Sequence, residues 1–151
     1  MPDRAPLPAP ADLPQGTLYW ADSELRALRP DGADLCLHFA AAQFRPGPPA
    51  PRTDGGSPGN GWLRGLVLRL HRARWPAGLA LADACGRIGH GRLDLPGAAA
   101  GAGSRLRLPV ALHVPLRLSL ALPFGVQFDI DAEGLSSAAD GPVGWQESLA
   151  C

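Results

Sequence analysis

The sequence predicts an all-β fold, either an antiparallel β-sandwich or a flattened barrel, with about seven to nine strands. The 19 glycines and 17 prolines divide the 151 residues into short segments. Their spacing of about ten residues is typical of all-β domains. In several segments apolar and polar residues alternate strictly, as they do in strands that bury one face.

The clearest strand pair is predicted at 116–122 and 126–132, where apolar residues occupy every even position. The Pro-Phe-Gly between them fits a three-residue hairpin loop with Gly125 in the left-handed conformation. Antiparallel partners keep a constant index sum. The loop therefore predicts that Arg117 lies directly opposite Asp131.

Three acidic residues at alternate positions, Asp129, Asp131 and Glu133, raise the question of a metal or acid/base site. Alternate side chains on a strand lie about 6 to 7 Å apart, too far to converge on one ion without another element. Arg117 also offers Asp131 a simple partner. We therefore expect a solvated polar face with one salt bridge, rather than a metal site or a hydrolase built on these acids.

The upstream strands follow from the same alternation. The segments 23–29 and 34–44 are predicted to form a hairpin around the Pro-Asp-Gly turn. The segment 105–114 alternates too, but prolines at 109 and 115 predict a sheet edge or a bend between sheets.

The middle of the chain leaves alternatives open. Residues 62–75 fit both helical and strand periods, and Gly65 favours a strand because glycine weakens helices. Residues 76–86 allow one short helix, with a strand as the alternative, and 87–95 is predicted as a bulged strand.

One β domain, at 17–151, is predicted to follow a disordered Pro-rich arm at 1–16. A mobile loop is predicted at 45–61, where Pro and Gly are too frequent for a regular element.

Charge and cysteine content restrict the function classes. Fourteen basic residues, all arginine, balance fourteen acidic ones, so we expect neither nucleic-acid nor membrane binding. The exclusive use of arginine suggests a GC-rich bacterial genome. Three cysteines without a C-x-x-C pair and a start without an apolar signal core predict a reducing cytoplasm.

No motif for catalysis or cofactor binding stands out. The G-x-S-x-G pattern is absent, and Ser136 and Ser137 are assigned to a polar tail, so we expect no enzyme and no cofactor. A Cys2His2 site can be drawn, but its spacings match no zinc-finger pattern, so we expect no metal site. Its residues would be Cys36, His38, Cys85 and His90.

These observations predict a non-enzymatic binding or protein-interaction module. The protein partner would meet an exposed edge such as 105–114 or an arginine-bearing sheet face. The alternative is a small β-barrel that holds an apolar ligand behind tryptophans at its mouth. The candidate contact residues are Trp20, Trp62, Trp75, Arg105, Arg107 and Arg117.

Overall fold

A computed structural model describes residues 13–47, 61–96 and 102–147, which form an all-β sandwich of two antiparallel sheets. The larger sheet has seven strands and the smaller three. The predicted fold class is therefore confirmed. The strands are β1 (Gly16–Asp31), β2 (Asp34–Pro46), β3 (Gly61–His71), β4 (Gly86–Arg87), β5 (His90–Asp94), β6 (Arg105–Leu108), β7 (Ala111–Leu112), β8 (Leu116–Ala121), β9 (Gln127–Ala132) and β10 (Gly134–Glu147).

The large sheet has the order β4-β1-β2-β3-β10-β7, and β6 also pairs with β1. The β1–β2 hairpin closes with Asp31 opposite Asp34, and Gly32 takes a φ of +63° in the turn. This confirms the predicted hairpin. The last strand, β10, inserts between β3 and β7.

The small sheet has the order β5-β8-β9. Its β8–β9 register is the predicted one, with Arg117 opposite Asp131. The hairpin closes through Leu122, whose N–H donates to the Val126 carbonyl at 2.7 Å. Gly125 has the predicted left-handed conformation, with a φ of +76°. Phe124 is also left-handed, with a φ of +64°.

The core lies between the two sheets and consists mainly of leucines that alternate along the strands. Inward positions of the small sheet are buried as predicted from the even numbering of 116–122 and 126–132, and Val126 is only half-buried. Val114 departs from the same pattern at 42% exposure because it lies in the link between β7 and β8. Fully buried members include Leu18, Leu35, Leu37, Leu63, Leu68 and Leu70 of the large sheet and Leu118, Leu120 and Ile130 of the small sheet.

The segment 105–114, predicted as a sheet edge or a bend between sheets, forms β6 and β7 of the large sheet, and the chain passes to the small sheet directly after it. β6 pairs with β1, β7 pairs with β10, and β8 belongs to the small sheet. Pro109, after a cis peptide bond, separates β6 from β7, and Pro115 separates β7 from β8. Proline cannot donate to a ladder, so each break falls where pairing must change partner.

Two segments, 76–86 and 87–95, form the middle of the chain. The segment 76–86, where one short helix or a strand is predicted, contains a three-residue 3-10 helix, Leu81–Asp83, and ends at Gly86, the first residue of β4. The segment 87–95 is divided between β4 in the large sheet and β5 in the small sheet, because the chain changes sheets at Ile88 and Gly89. The described residues therefore hold ten strands, more than predicted. The strand prediction for 62–75 is confirmed by β3.

The predicted arm and loop fall mostly outside the described residues, at 1–12 and 48–60. The residues at their borders are ordered. Leu13 is buried in the core and Gly16 begins β1. β2 continues to Pro46 and β3 begins at Gly61.

Candidate functional site

The β1–β2 and β3–β10 ladders of the large sheet both have irregular pairing, at about the same height along the strands. The β1–β2 register shifts several times between Tyr19 and Ala27. On β10, Ala139 pairs with Leu66 and Gly144 with Arg64, so four residues of β10 stand opposite one residue of β3. Bulges of this kind bend a sheet, re-aim side chains and concentrate next to functional sites.

Specific residues stabilise these bulges. Gly65 has a φ of +85°, and a Cβ there would lie 2.6 Å from the Pro142 carbonyl oxygen, so only glycine fits. Ser23 is fully buried in the β1 irregularity, where its hydroxyl donates to the Tyr19 carbonyl at 2.7 Å and accepts from the Gln43 N–H at 2.8 Å. The hydroxyl thus satisfies backbone groups that the bulge removes from the ladder.

The bulges open a cleft of about 400 Å³, which we call the bulge cleft. Its ionisable lining residues are Arg26, His38, Arg64 and Asp140. His38 Nδ1 lies 3.4 Å from Asp140 Oδ2. Arg26 and Arg64 are exposed, and neither forms an ion pair with any residue in the described ranges. Because Asp140 is the one carboxylate among these lining residues, the cleft carries more arginine charge than carboxylate charge.

A second polar cluster lies further along the same strands. Arg69 Nη1 donates to Asp34 Oδ2 at 2.8 Å, and its Nη2 donates to Asp31. The Arg72 N–H donates to Asp34 Oδ1 at 2.9 Å. Burial by itself raises the pKa of Asp34, but these hydrogen bonds from Arg72 and Arg69 outweigh it, so the pKa is lowered and the carboxylate is charged at neutral pH.

His71 extends this cluster to β10. Its Nε2 lies 2.9 Å from Ser136 Oγ, and its Nδ1 lies 3.7 Å from Asp34 Oδ2. Ser136 belongs to a 14-residue strand, so its assignment to a polar tail is wrong. The neighbouring Ser137 points the other way and is buried, with its Oγ accepting from the Val110 N–H at 2.9 Å.

The cysteines take no part in a metal site among the described residues. Cys36 is buried opposite Arg69, and burial raises the pKa of its thiol, which is therefore protonated and weakly reactive at neutral pH. Cys85 is exposed. Nowhere in 13–47, 61–96 or 102–147 do three His, Cys, Asp or Glu residues gather as metal ligands, including Cys36, His38, Cys85 and His90.

The three candidate tryptophans occupy different environments. Trp20 is fully buried, with its ring centroid 6.4 Å from that of Phe39, so it is not available for a surface contact. Its indole N–H has no hydrogen-bond partner among the described residues. Trp62 is half-buried on β3, and Trp75, also half-buried, packs against the core.

The three candidate arginines are also dispersed. Arg105 is exposed on β6. Arg107 donates from Nη1 to the Gly47 carbonyl at 2.8 Å and to Thr17 Oγ1 at 3.3 Å, which ties β6 to β1. Arg117 lies on the small sheet, where its Nε donates to Asp131 Oδ1 at 2.8 Å. The predicted salt bridge is confirmed. Arg117, a candidate contact residue, is therefore already paired within the protein.

The acids at 129–133 do not gather at one point. Asp131 pairs with Arg117, while Glu133 Oε2 lies 3.6 Å from Arg72 Nε. The residues that do gather, in the bulge cleft and around His71, were not singled out by periodicity. The Asp-Gly-Pro of 140–142 was the available signal, since that triplet is typical of a break in a strand.

No known protein family, curated protein or solved structure matches this chain. In the part of the chain that the structure describes, no helix is long and apolar enough to cross a membrane. The candidate functional sites of the described residues are therefore the bulge cleft and the polar cluster around Asp34 and His71.

Proposed function

We propose that this protein is a protein-interaction module whose bulge cleft binds an acidic segment of a partner. The observation that carries the proposal is the pair of exposed arginines, Arg26 and Arg64, without ion-pair partners among the described residues of this cleft. Arginine presents a planar fork of N–H donors that matches a carboxylate, so two such side chains favour an acidic ligand.

The size and construction of the cleft support this class of ligand. A volume of about 400 Å³ lies toward the lower end of the usual range for binding sites and suits one or two side chains. His38 adds a ring nitrogen beside the arginines, and Asp140 lies next to its Nδ1. The cleft is built on strands that carry bulges, and a site on strands is positioned more precisely than a site on a loop.

The edge at 105–114 supports partner binding less well. β6 has four residues and β7 has two, and Pro109 and Pro115 interrupt the segment. Addition of a partner strand needs a row of free backbone groups, which so short and broken an edge does not offer.

The alternative of an apolar-ligand barrel remains a prediction with weaker support. Within the described residues both sheets keep open ends, and buried leucines fill the space between them.

A bacterial cytoplasmic location belongs to the proposal as well. The free thiols of Cys36 and Cys85 are compatible with a reducing compartment.

Titration of the ¹⁵N-labelled protein with the probe peptide acetyl-Glu-Glu-Glu tests the proposal. We expect saturable chemical-shift changes around Arg26 and Arg64 and none with acetyl-Lys-Lys-Lys. The double variant Arg26→Gln/Arg64→Gln should lose the response. The matched variant Arg87→Gln/Arg105→Gln, which removes the same charge from exposed positions elsewhere, should keep it.

Two outcomes would overturn the proposal. One is the absence of any saturable response to the glutamate peptide in the wild type. The other is an equal loss in both double variants, which would indicate nonspecific attraction by net charge.

A further inference from the structure

Three polar side chains lie in a row across neighbouring strands of the large sheet. Asp34 on β2 approaches His71 on β3, and His71 hydrogen-bonds Ser136 on β10. The distances are 3.7 Å from Asp34 Oδ2 to His71 Nδ1 and 2.9 Å from His71 Nε2 to Ser136 Oγ. A carboxylate, an imidazole and a hydroxyl in this order are the groups that activate a serine nucleophile.

The ladder explains how these groups meet. Leu35 pairs with Leu70, which places Asp34 level with His71 on the outer face, and His71 pairs in turn with Gly134. A Cβ at Gly134 would lie 3.2 Å from His71 Cδ2 and 2.7 Å from the Leu112 carbonyl oxygen. The absence of a side chain at Gly134 therefore leaves room for the imidazole to reach Ser136, two residues further along β10.

The carboxylate is held in place independently of His71. Asp34 accepts hydrogen bonds from Arg69 Nη1 at 2.8 Å and from the Arg72 N–H at 2.9 Å. Its side chain is 21% exposed and that of His71 is 32% exposed, so a small substrate can reach the imidazole. A fixed carboxylate near Nδ1 favours the tautomer with its proton on Nδ1, and Nε2 is then free to accept the Ser136 proton.

Arg69 lies beside this row on the same face of the sheet. It lies directly opposite Ser136 in the β3–β10 ladder, so the two side chains share the outer face. Two of its terminal nitrogens are hydrogen-bonded to Asp34 and Asp31. The Ser137 N–H is used by the Val110 carbonyl at 3.0 Å, so it is not available to a developing oxyanion.

We propose that Ser136 and His71 are the catalytic residues of an acyl-transfer site for small carboxylic esters, with Asp34 as a positioning residue. Ser136 Oγ attacks the ester carbonyl carbon while its proton passes to His71 Nε2, which gives a tetrahedral intermediate. The C–O bond to the alcohol then breaks, and the alcohol leaves with the proton from His71. Water then attacks the acyl carbon while one of its protons passes to His71 Nε2. The C–O bond to Ser136 breaks, Ser136 Oγ takes that proton back from His71, and the carboxylic acid is released. The open sheet face suits small, unhindered esters.

Two measurements on the full chain test the site. The first is hydrolysis of p-nitrophenyl acetate, and the second is covalent labelling by a fluorophosphonate, located by peptide mass mapping. We expect turnover and one adduct on Ser136. Ser136→Ala should remove both signals, and His71→Gln should lower the hydrolysis rate by at least about 100-fold. Ser119→Ala on the small sheet is the matched control and should change neither.

The Asp34→Asn variant separates positioning from a general loss of structure. We expect kcat to fall by more than about 10-fold with KM unchanged. Circular dichroism and the unfolding midpoint show whether each variant is folded.

Three results would overturn the proposal. They are an adduct on another residue, wild-type hydrolysis no faster than that of folded His71→Gln, and unchanged hydrolysis by Ser136→Ala. In each case the hydrogen bond between His71 and Ser136 would serve only to join β3 to β10.

Discussion

The two sheets differ in regularity, and the difference separates stability from candidate function. In the small sheet the β8–β9 ladder runs without interruption from Leu116–Ala132 to Ala121–Gln127. In the large sheet, the ladders of β1 and β10 are interrupted by register shifts. Both sheets pair charges across strands, Arg117 with Asp131 in the small sheet and Arg69 with Asp34 in the large one. The irregular sheet in addition opens the bulge cleft, where Arg26 and Arg64 form no ion pair with a described residue.

Both sheets nevertheless share one core, and the largest expected effect tests whether they unfold together. Leu68 in the large sheet and Leu118 in the small sheet are each at most 1% exposed. Truncation of a buried leucine to alanine removes transfer free energy and leaves a cavity, so we expect Leu68→Ala and Leu118→Ala each to lower the free energy of unfolding by about 2 to 5 kcal/mol. Urea denaturation followed by tryptophan fluorescence and by circular dichroism measures both changes.

Coincident transitions of the two probes are part of this prediction. Leu112→Ala is the control, since Leu112 is only half-buried on the two-residue β7 and should cost less. Separate transitions in Leu118→Ala alone would contradict a shared core and would make the small sheet an independent unit.

The next largest effect on stability is expected at Gly65, in the bulge between β3 and β10. Alanine at Gly65 must adopt a left-handed φ and meet the Pro142 carbonyl, so we expect Gly65→Ala to lower the free energy of unfolding by about 1 to 3 kcal/mol. Gly78→Ala is the matched control, because no atom lies within 4 Å of its Cβ position. A Gly65→Ala variant as stable as Gly78→Ala would show that the bulge does not need glycine.

The same contrast explains what sequence could predict. Counting outward from Pro123-Phe124-Gly125 placed Arg117 opposite Asp131 because the loop is short and neither strand has a bulge. The pairing of β3 with β10 cannot be found by counting in this way. Its partners His71 and Gly134 are far apart in the sequence, and several other strands lie between them. Long-range pairing of this kind depends on tertiary packing.

Strand β10 shows a second physical reason for error. Its first nine residues, 134–142, are mainly Ser, Ala, Gly and Pro, and the branched and aromatic residues that usually mark strands, Val143 and Trp145, come only near its end. It forms because neighbours on both sides pair with it and because Ser137 satisfies the backbone of Val110 from a buried position. Alternation and composition therefore do not reveal the candidate site, because Ser136 lies in the part of β10 that lacks strand-like residues.

The smallest expected effect is on the pH dependence of stability, which should differ between Asp34 of the large sheet and Asp131 of the small sheet. The pKa of Asp131 is lowered, first by its hydrogen bond with Arg117, and the pKa of Asp34 is lowered in spite of burial. A carboxylate with a lowered pKa stabilises the fold above its ordinary pKa of 3.8, and this contribution is lost as the pH falls through the lower folded-state value. The wild type should therefore lose stability below about pH 4.

Replacement of each carboxylate by an amide assigns that loss to one sheet. Asp34 bonds two donors in a half-buried cluster, so Asp34→Asn should cost about 1 kcal/mol at pH 7 and should flatten the decline below pH 4. Asp131 pairs on an exposed face, where water and salt screen the interaction, so Asp131→Asn should have the smaller effect, and 1 M NaCl should abolish it. Urea midpoints from pH 3 to 7 measure both variants. An equal cost at the two positions would mean that the irregular sheet holds its charges no more tightly than the regular one, and that the cluster around Asp34 is an ordinary surface network.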